Sequence, residues 1–247
     1  LDTKIIERSW YGLAFSSDEK KLYASGGHNN RIEIFSIENK KLNLVDSIVL
    51  GKKWPNKISP AGIAIDHAKQ WMYIVTRENN QLYIVDLATK QILFKQALEG
   101  EAYTCVLSPD NRFLYISCWG CDKVYQFNTA ERKITASVPV GDNPNEIVLN
   151  KKGTVLYVAN ANDNSVSVIQ TKDLKVVEVL NVALYPDAPN GSTTNGLALS
   201  ADEKTLFIAN ADNNCLAMYD VSVPVSSKSK GFIPVGWYPT HVKVIGN

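Results

Sequence analysis

The stretch VLYVANANDNSVSVI, Val155 to Ile169, returns fifty residues later as TLFIANADNNCLAMY, Thr205 to Tyr219. Each copy alternates apolar and polar residues on both sides of a small Asn/Asp turn, the pattern of a β-hairpin. Its aromatic residue sets a ruler along the chain: KLYASG carries Tyr23, WMYIVT Tyr73, FLYISC Tyr115, VLYVAN Tyr157 and TLFIAN Phe207, separated by 50, 42, 42 and 50 residues. Before each aromatic comes a short apolar run ending in a polar turn, as in GLAFSSDEKK, GIAIDHAKQ and GLALSADEK. After each come two more runs, such as RIEIFSI with LNLVDSIVLG, or SVSVIQT with KVVEVLNVAL. Four strands in a period of about 42 residues is the signature of propeller blades. Apolar spacing of two, with Gly/Asn/Asp/Pro turns, argues against a helical repeat.

The sequence therefore predicts an all-β chain: a β-propeller of four-stranded antiparallel blades, treated as a single domain. Complete blades are expected over 11–51, 60–100, 102–141, 143–184 and 192–236. Residues 1–10 read as the end of a preceding blade, with KIIER (Lys4 to Arg8) as its fourth strand. Residues 237–247 read as the first strand of a following blade, THVKVIG, Thr240 to Gly246. The expectation is part of a larger propeller with about one and a half blades missing, with a five-bladed ring with frayed ends as the alternative. Open blade edges would then offer a route to self-association.

Composition narrows the function. The 247 residues are 45% hydrophobic and 21% charged, and carry a formal net charge of +1. Interspersed charge provides no basic face for nucleic acid. No apolar run approaches the roughly 18 residues needed to span a membrane as a helix. The chain opens on Leu1 without a signal peptide, which reads as a processed or trimmed product.

The repeat also carries a family resemblance. LYVANANDNSVSVI resembles the YVTN-type, WD40-like propeller repeat, with Tyr157-Val158-Ala159-Asn160 in the place of Tyr-Val-Thr-Asn. SWYGLAFS, DSIVLGKKWPNKISPAGIAID, ALYPDAPNGSTTNGLALS and GFIPVGWYPTHV resemble the propeller half of a bacterial two-domain protein. In that family a seven-bladed propeller precedes an alkaline-phosphatase-like, metal-dependent phosphoesterase domain. The resemblance implies a periplasmic or secreted protein and an adjoining C-terminal phosphoesterase domain as partner. It places the phosphoesterase residues beyond Asn247, so this chain is expected to hold no catalytic residue, metal or cofactor of that activity.

Candidate contact residues fall on one face. Both 50-residue periods put their eight extra residues into blade-to-blade loops, Gly51 to Ser59 and Leu184 to Asn195. Function tends to sit on such loops over a rigid frame. The residues just before each innermost strand should ring the channel mouth: Trp10-Tyr11, Pro60-Ala61, Ala102-Tyr103, Pro144-Asn145, Thr194-Asn195 and Pro239-Thr240. Aromatic walls with a few amides suit a small polar ligand; Pro and Asn at those places also simply shape turns. The expected contact set is Trp10, Tyr11, Lys53, Trp54, Tyr103, Asn145, Glu146, Tyr185, Asn195, Trp237, Tyr238 and His241.

Two functions then compete, beside a third reading as a surface or scaffold repeat with no small ligand. One is a non-catalytic module that binds a small polar ligand or docks the phosphoesterase domain, and composition favours it. The other is a hydrolase of the propeller-lactonase type, acting at the channel mouth through Glu146 and His241. A general acid/base pair is conceivable there, and so is a structural ion pair. Cys118 and Cys121 form a C-x-x-C in a hairpin loop, read as either a local disulfide or two free thiols. Cys105 and Cys215 read as small buried hydrophobes. The Asn-rich loops bunch oxygen ligands, but Asn and Asp are also the residues that tolerate left-handed turns. His28, His67 and His241 fall in different blades, with no metal-ligand spacing.

Overall fold

The alternating runs form strands in a computed structural model that describes residues 2–9, 11–53, 55–185 and 187–246. The first sheet comprises β1 (Leu13–Phe15), β2 (Lys21–Ser25), β3 (Arg31–Glu38) and β4 (Lys41–Val49). The second comprises β5 (Pro60–Asp66), β6 (Trp71–Thr76), β7 (Gln81–Asp86) and β8 (Ile92–Ala97). The third has β9 (Ala102–Leu107), β10 (Phe113–Cys118), β11 (Lys123–Asn128) and β12 (Lys133–Pro139). The fourth has β13 (Pro144–Leu149), β14 (Val155–Asn160), β15 (Ser165–Gln170) and β16 (Lys175–Asn181). The fifth has β17 (Thr194–Leu199), β18 (Thr205–Asn210), β19 (Cys215–Asp220) and β20 (Lys228–Pro234). Every sheet is an antiparallel meander in chain order, and the first strands of successive sheets pack side by side. This is a β-propeller, with β1, β5, β9, β13 and β17 innermost.

The core lies between blades, so strands are apolar on both faces rather than on one. Tyr23 packs in a cluster with Ile63, Met72 and Ile74 of the next blade. Tyr73 does so with Leu114 and Ile116, Tyr115 with Ile147 and Leu156, and Tyr157 with Leu197 and Ile208. The aromatic column is thus a set of inter-blade wedges, with Phe207 of the fifth sheet only half-buried.

The Asn-rich loops have a mechanical role. Asn30, Asn80, Asp122, Asn164 and Asn214 close the β2–β3, β6–β7, β10–β11, β14–β15 and β18–β19 hairpins, at φ values of 54°, 50°, 50°, 47° and 51°. Asn and Asp adopt this left-handed region more readily than other residues with a Cβ. In both long loops the side chain then grips the chain that crosses to the next blade. Asn30 Nδ2 donates to the carbonyls of Lys52 (2.7 Å) and Asn56 (2.6 Å), and its Oδ1 accepts from the Ser59 amide (3.0 Å). Asn164 repeats the grip on Pro189 O (2.8 Å), Gly191 N (3.0 Å) and Ser192 N (2.7 Å). These bonds occupy the side-chain oxygens that a cation would need.

Two expected strands do not form. Residues 4–8 and 240–246 are in no strand. A strand needs a ladder partner for its N–H and C=O groups, and neither segment has one among the described residues. The 240–241 backbone nevertheless runs alongside β17 in the position of a neighbouring innermost strand.

Candidate functional site

The position eleven residues before each blade aromatic explains the channel mouth: Gly12, Gly62, Thr104, Glu146 and Gly196. Glycine belongs there because adjacent blades almost touch. A Cβ on Gly62 would stand 2.4 Å from Thr104 Cα, and one on Gly196 would stand 2.6 Å from His241 Cα. The second contact makes His241 the next member of the column. Glu146 and His241 are therefore the two ionisable side chains in a column that is otherwise Gly or Thr. In β13, Pro144 pairs with Asn160 and Ile147 with Val158, leaving Asn145 and Glu146 both opposite Ala159. This is a β-bulge, which re-aims side chains at the end of a strand.

The bulge places Glu146 between two groups from distant parts of the chain. Its Oε1 accepts a 2.6 Å hydrogen bond from the Tyr11 hydroxyl, and its Oε2 lies 3.0 Å from His241 Nδ1. The Glu146 side chain is 10% exposed and that of His241 55%, so a buried carboxylate orients a solvent-facing imidazole. A second chain of bonds runs beside the first. Tyr103 OH donates to Asn195 Oδ1 (3.4 Å), which also accepts from Asn145 Nδ2 (3.2 Å). The Tyr11 and Tyr103 rings join the two at a centroid distance of 5.0 Å and a tilt of 39°.

The electrostatics follow from this placement. The hydrogen bond to Glu146, together with its charge, raises the His241 pKa above the ordinary imidazole value, against a smaller opposing effect of burial. Burial first, then the nearby carboxylate, drives the Tyr11 phenol far up and pushes Tyr103 up to about 12. Both phenols stay protonated at physiological pH. An imidazole with one nitrogen held by a carboxylate and its ring open to solvent is suited to taking a proton from water.

Of the expected contact residues, the structure brings together Tyr11, Tyr103, Asn145, Glu146, Asn195 and His241. The Tyr238 phenol lies near that of Tyr103, and its backbone N–H donates to Asn214 Oδ1 at 2.8 Å. Lys53, Tyr185 and Trp237 stand exposed on loops outside this bonded group. Trp10 and Trp54 lie outside the described residues. Arg77 and Glu101 escaped the sequence reading. They form an ion pair beside Tyr103, and the Arg77 charge partly offsets the rise in the Tyr103 pKa. The signal was available, since Arg77 occupies the loop position held by Gly27, Ala161 and Ala211 in three other blades.

Elsewhere, Cys118 and Cys121 form a disulfide, while Cys105 and Cys215 are buried thiols, that of Cys105 pushed up to about 12 by burial. Among the described residues no group of three or more His, Cys, Asp or Glu could hold a metal. Two clefts, of about 540 and 420 Å³, open on the opposite face between successive blades. They are lined by turn residues such as Asn150, Lys152 and Asp110, and carry no histidine.

Residues 95–241, more than half of the chain, match the family described as "Lactonase, 7-bladed beta-propeller". The chain belongs to that lactonase family. Among curated relatives, the 6-phosphogluconolactonase of Enterobacter sp. (strain 638) is 27% identical over 121 residues, which is 46% of this chain and only 37% of that protein. Among solved structures, the periplasmic gluconolactonase of Pseudomonas aeruginosa superposes with a TM-score of 0.78 at 18% identity, covering 93% of this chain and 73% of that one. A putative 6-phosphogluconolactonase from Bacteroides fragilis gives 0.75 at 16% identity, over 95% and 72%. The hydrazine synthase of Kuenenia stuttgartiensis gives 0.65 at 15% identity, over 97% and 90%. At these identities the structural matches speak to the fold, which serves more than one chemistry.

Family membership corrects the favoured functional expectation. A non-catalytic binding module belonging to a phosphoesterase-family protein is overturned by the lactonase match and by relatives named as lactonases. That expectation rested on an aromatic, amide-rich rim with few charged residues; two of those few, Glu146 and His241, meet there from positions 95 residues apart.

Proposed function

We propose that this lactonase-family chain hydrolyses the ring ester of a lactone at the channel mouth. The observation that carries the proposal is the Tyr11–Glu146–His241 array, with both carboxylate oxygens engaged and the imidazole facing solvent. Glu146 holds the proton on His241 Nδ1, which leaves Nε2 as the base. Nε2 takes a proton from water as its oxygen adds to the lactone carbonyl carbon. The tetrahedral adduct collapses by breaking the ring C–O bond, and the departing alkoxide recovers the proton from Nε2. Glu146 stabilises the imidazolium formed between those steps, and Tyr11 fixes Glu146 in turn. The product is a hydroxy acid, so turnover releases acid.

The test is acid release from D-glucono-1,5-lactone, followed with a pH indicator. His241→Ala should lower kcat about 10²- to 10⁴-fold, the usual contribution of a general base. A variant with unchanged kcat would remove His241 from the chemistry.

We propose also that the repeat is of the YVTN type, on Tyr157-Val158-Ala159-Asn160, and that the chain works in the periplasm or outside the cell. The Cys118–Cys121 disulfide and the periplasmic gluconolactonase among its structural neighbours support the second reading. Alkylation of the denatured, unreduced protein should label Cys105 and Cys215 alone; four labelled cysteines would contradict it.

A further inference from the structure

We infer that the cavity of about 540 Å³ between the fourth and fifth blades, on the face opposite the channel mouth, binds a small organic cation, a primary ammonium group carried on an apolar body. Its walls are built by an exception in the repeat. Seven residues, 221–227, join β19 to β20, where the same hairpin of the other blades uses as few as two, 39–40, and at most five, 87–91. The longer loop adds Val221, Pro224 and Val225 to a lining that already holds Val155, Val168 and Leu199. Glu178 anchors that loop: its Oε1 accepts from the Ser227 amide and its Oε2 from the Ser227 hydroxyl, both at 2.8 Å. A wall fixed in this way leaves the cavity preformed.

A hydroxyl faces into it unpaired. Tyr157 lines the cavity and is only 6% exposed, yet among the described residues nothing hydrogen-bonds its hydroxyl. The hydroxyls of the equally buried Tyr83 and Tyr219 are bonded, to Asn79 and to the Asn181 carbonyl, as a buried tyrosine's usually is. Nor is the Tyr157 hydroxyl sealed in, as that of Tyr73 is at the same position two blades earlier. The open space of the cavity lies in front of it.

Charge selects the ligand. Burial first, then the charges of Glu178 and Glu203, push the Tyr157 phenol up to about 12, so it stays a neutral hydroxyl beside two carboxylates. Neither carboxylate makes an ion pair among the described residues: Glu178 is held by the neutral Ser227, and Glu203 accepts from the Lys151 amide at 2.6 Å. Lys204 is paired with Asp202 at 3.9 Å, which leaves the exposed Lys152 as the one unpaired cation of the lining. Such a lining disfavours phosphate and carboxylate. An ammonium group brings three N–H donors, enough for the hydroxyl and for the remaining lone pairs of the carboxylates. The valine and leucine walls require the rest of the molecule to be apolar.

The test titrates 2-phenylethylammonium and its neutral isostere 2-phenylethanol calorimetrically into wild type, Tyr157→Phe and Glu178→Gln. Tyr157→Phe removes the hydroxyl and keeps the ring that wedges the blades. Glu203→Gln takes the place of Glu178→Gln should loss of the Ser227 anchor prevent folding. Wild type should bind the ammonium in preference to the alcohol, and each variant should lose roughly tenfold to a hundredfold of that affinity, the worth of a hydrogen bond to a charged group. No binding of the ammonium by wild type, equal binding of the two probes, or unchanged affinity in either variant would overturn the inference. The outcome is independent of lactone opening, because none of these three residues belongs to the mouth.

Discussion

Glu146→Gln separates the carboxylate's charge from its shape. Gln retains a side-chain oxygen for the Tyr11 hydroxyl, so packing at the bulge is preserved and unfolding should change little. What disappears is the negative charge 3.0 Å from His241 Nδ1. A charge-assisted hydrogen bond of that length contributes about 1.5–3 kcal/mol when desolvated. The His241 side chain is 55% exposed, so screening reduces this to about 1 kcal/mol. The same charge stabilises the imidazolium that forms during proton transfer, and about 1 kcal/mol there is roughly a fivefold loss in kcat. The pH at which the rate rises should also fall, because the rise in the His241 pKa originates first in its hydrogen bond to Glu146. The assay is kcat for D-glucono-1,5-lactone opening across pH, with His241→Ala as the comparison. A Glu146→Gln variant as inactive as His241→Ala would transfer the role of base to Glu146. Unchanged kcat and an unmoved pH profile would refute the array altogether.

Other consequences concern stability. Asn164→Ala removes three hydrogen bonds and leaves Ala at φ 47°, costing about 2–4 kcal/mol in urea unfolding, whereas Asn164→Asp, which keeps the acceptor, should cost about 1 kcal/mol. Tyr157→Ala opens a cavity between the fourth and fifth blades and should cost about 3–5 kcal/mol; a cost under 1 kcal/mol would mean the aromatic column is not a wedge. The Glu146–His241 pair gives a pH dependence of fixed sign. Because folding raises the His241 pKa, the pair's stabilisation is fully present below the ordinary imidazole value and fades as pH climbs through the raised one. Stability contributed by the pair and hydrolytic rate should thus change in opposite directions over the same pH interval, and unfolding of wild type against His241→Ala checks the first half.

Period and alternation made the blades readable from sequence, because a repeated strand pattern reports directly on repeated packing. The turn chemistry was equally legible: Asn30, Asn164 and Asn214 fall where a left-handed residue must close a hairpin. The site was half legible. Tyr11, Tyr103, Asn145 and Asn195 follow from strand register, yet register cannot say which of them meet across blades. The pairing of Glu146 with His241 was legible from their equivalent places on innermost strands, whereas only the folded ring brings Tyr11 to Glu146, across 135 residues. Lys53, Tyr185 and Trp237 were drawn in by loop length and aromatic character, which mark exposure as readily as contact. Lys4 to Arg8 and Thr240 to Gly246 have strand-like patterns, but a pattern forms a strand only beside a hydrogen-bonding neighbour.

The most direct measurement is the rate at which the purified chain opens D-glucono-1,5-lactone, compared with the spontaneous rate in the same buffer and with 6-phospho-D-gluconolactone in parallel. A rate proportional to protein concentration for at least one of the two lactones, and lost in His241→Ala, is the predicted result. No acceleration of either lactone over buffer would contradict the assignment of lactone hydrolysis to this channel mouth.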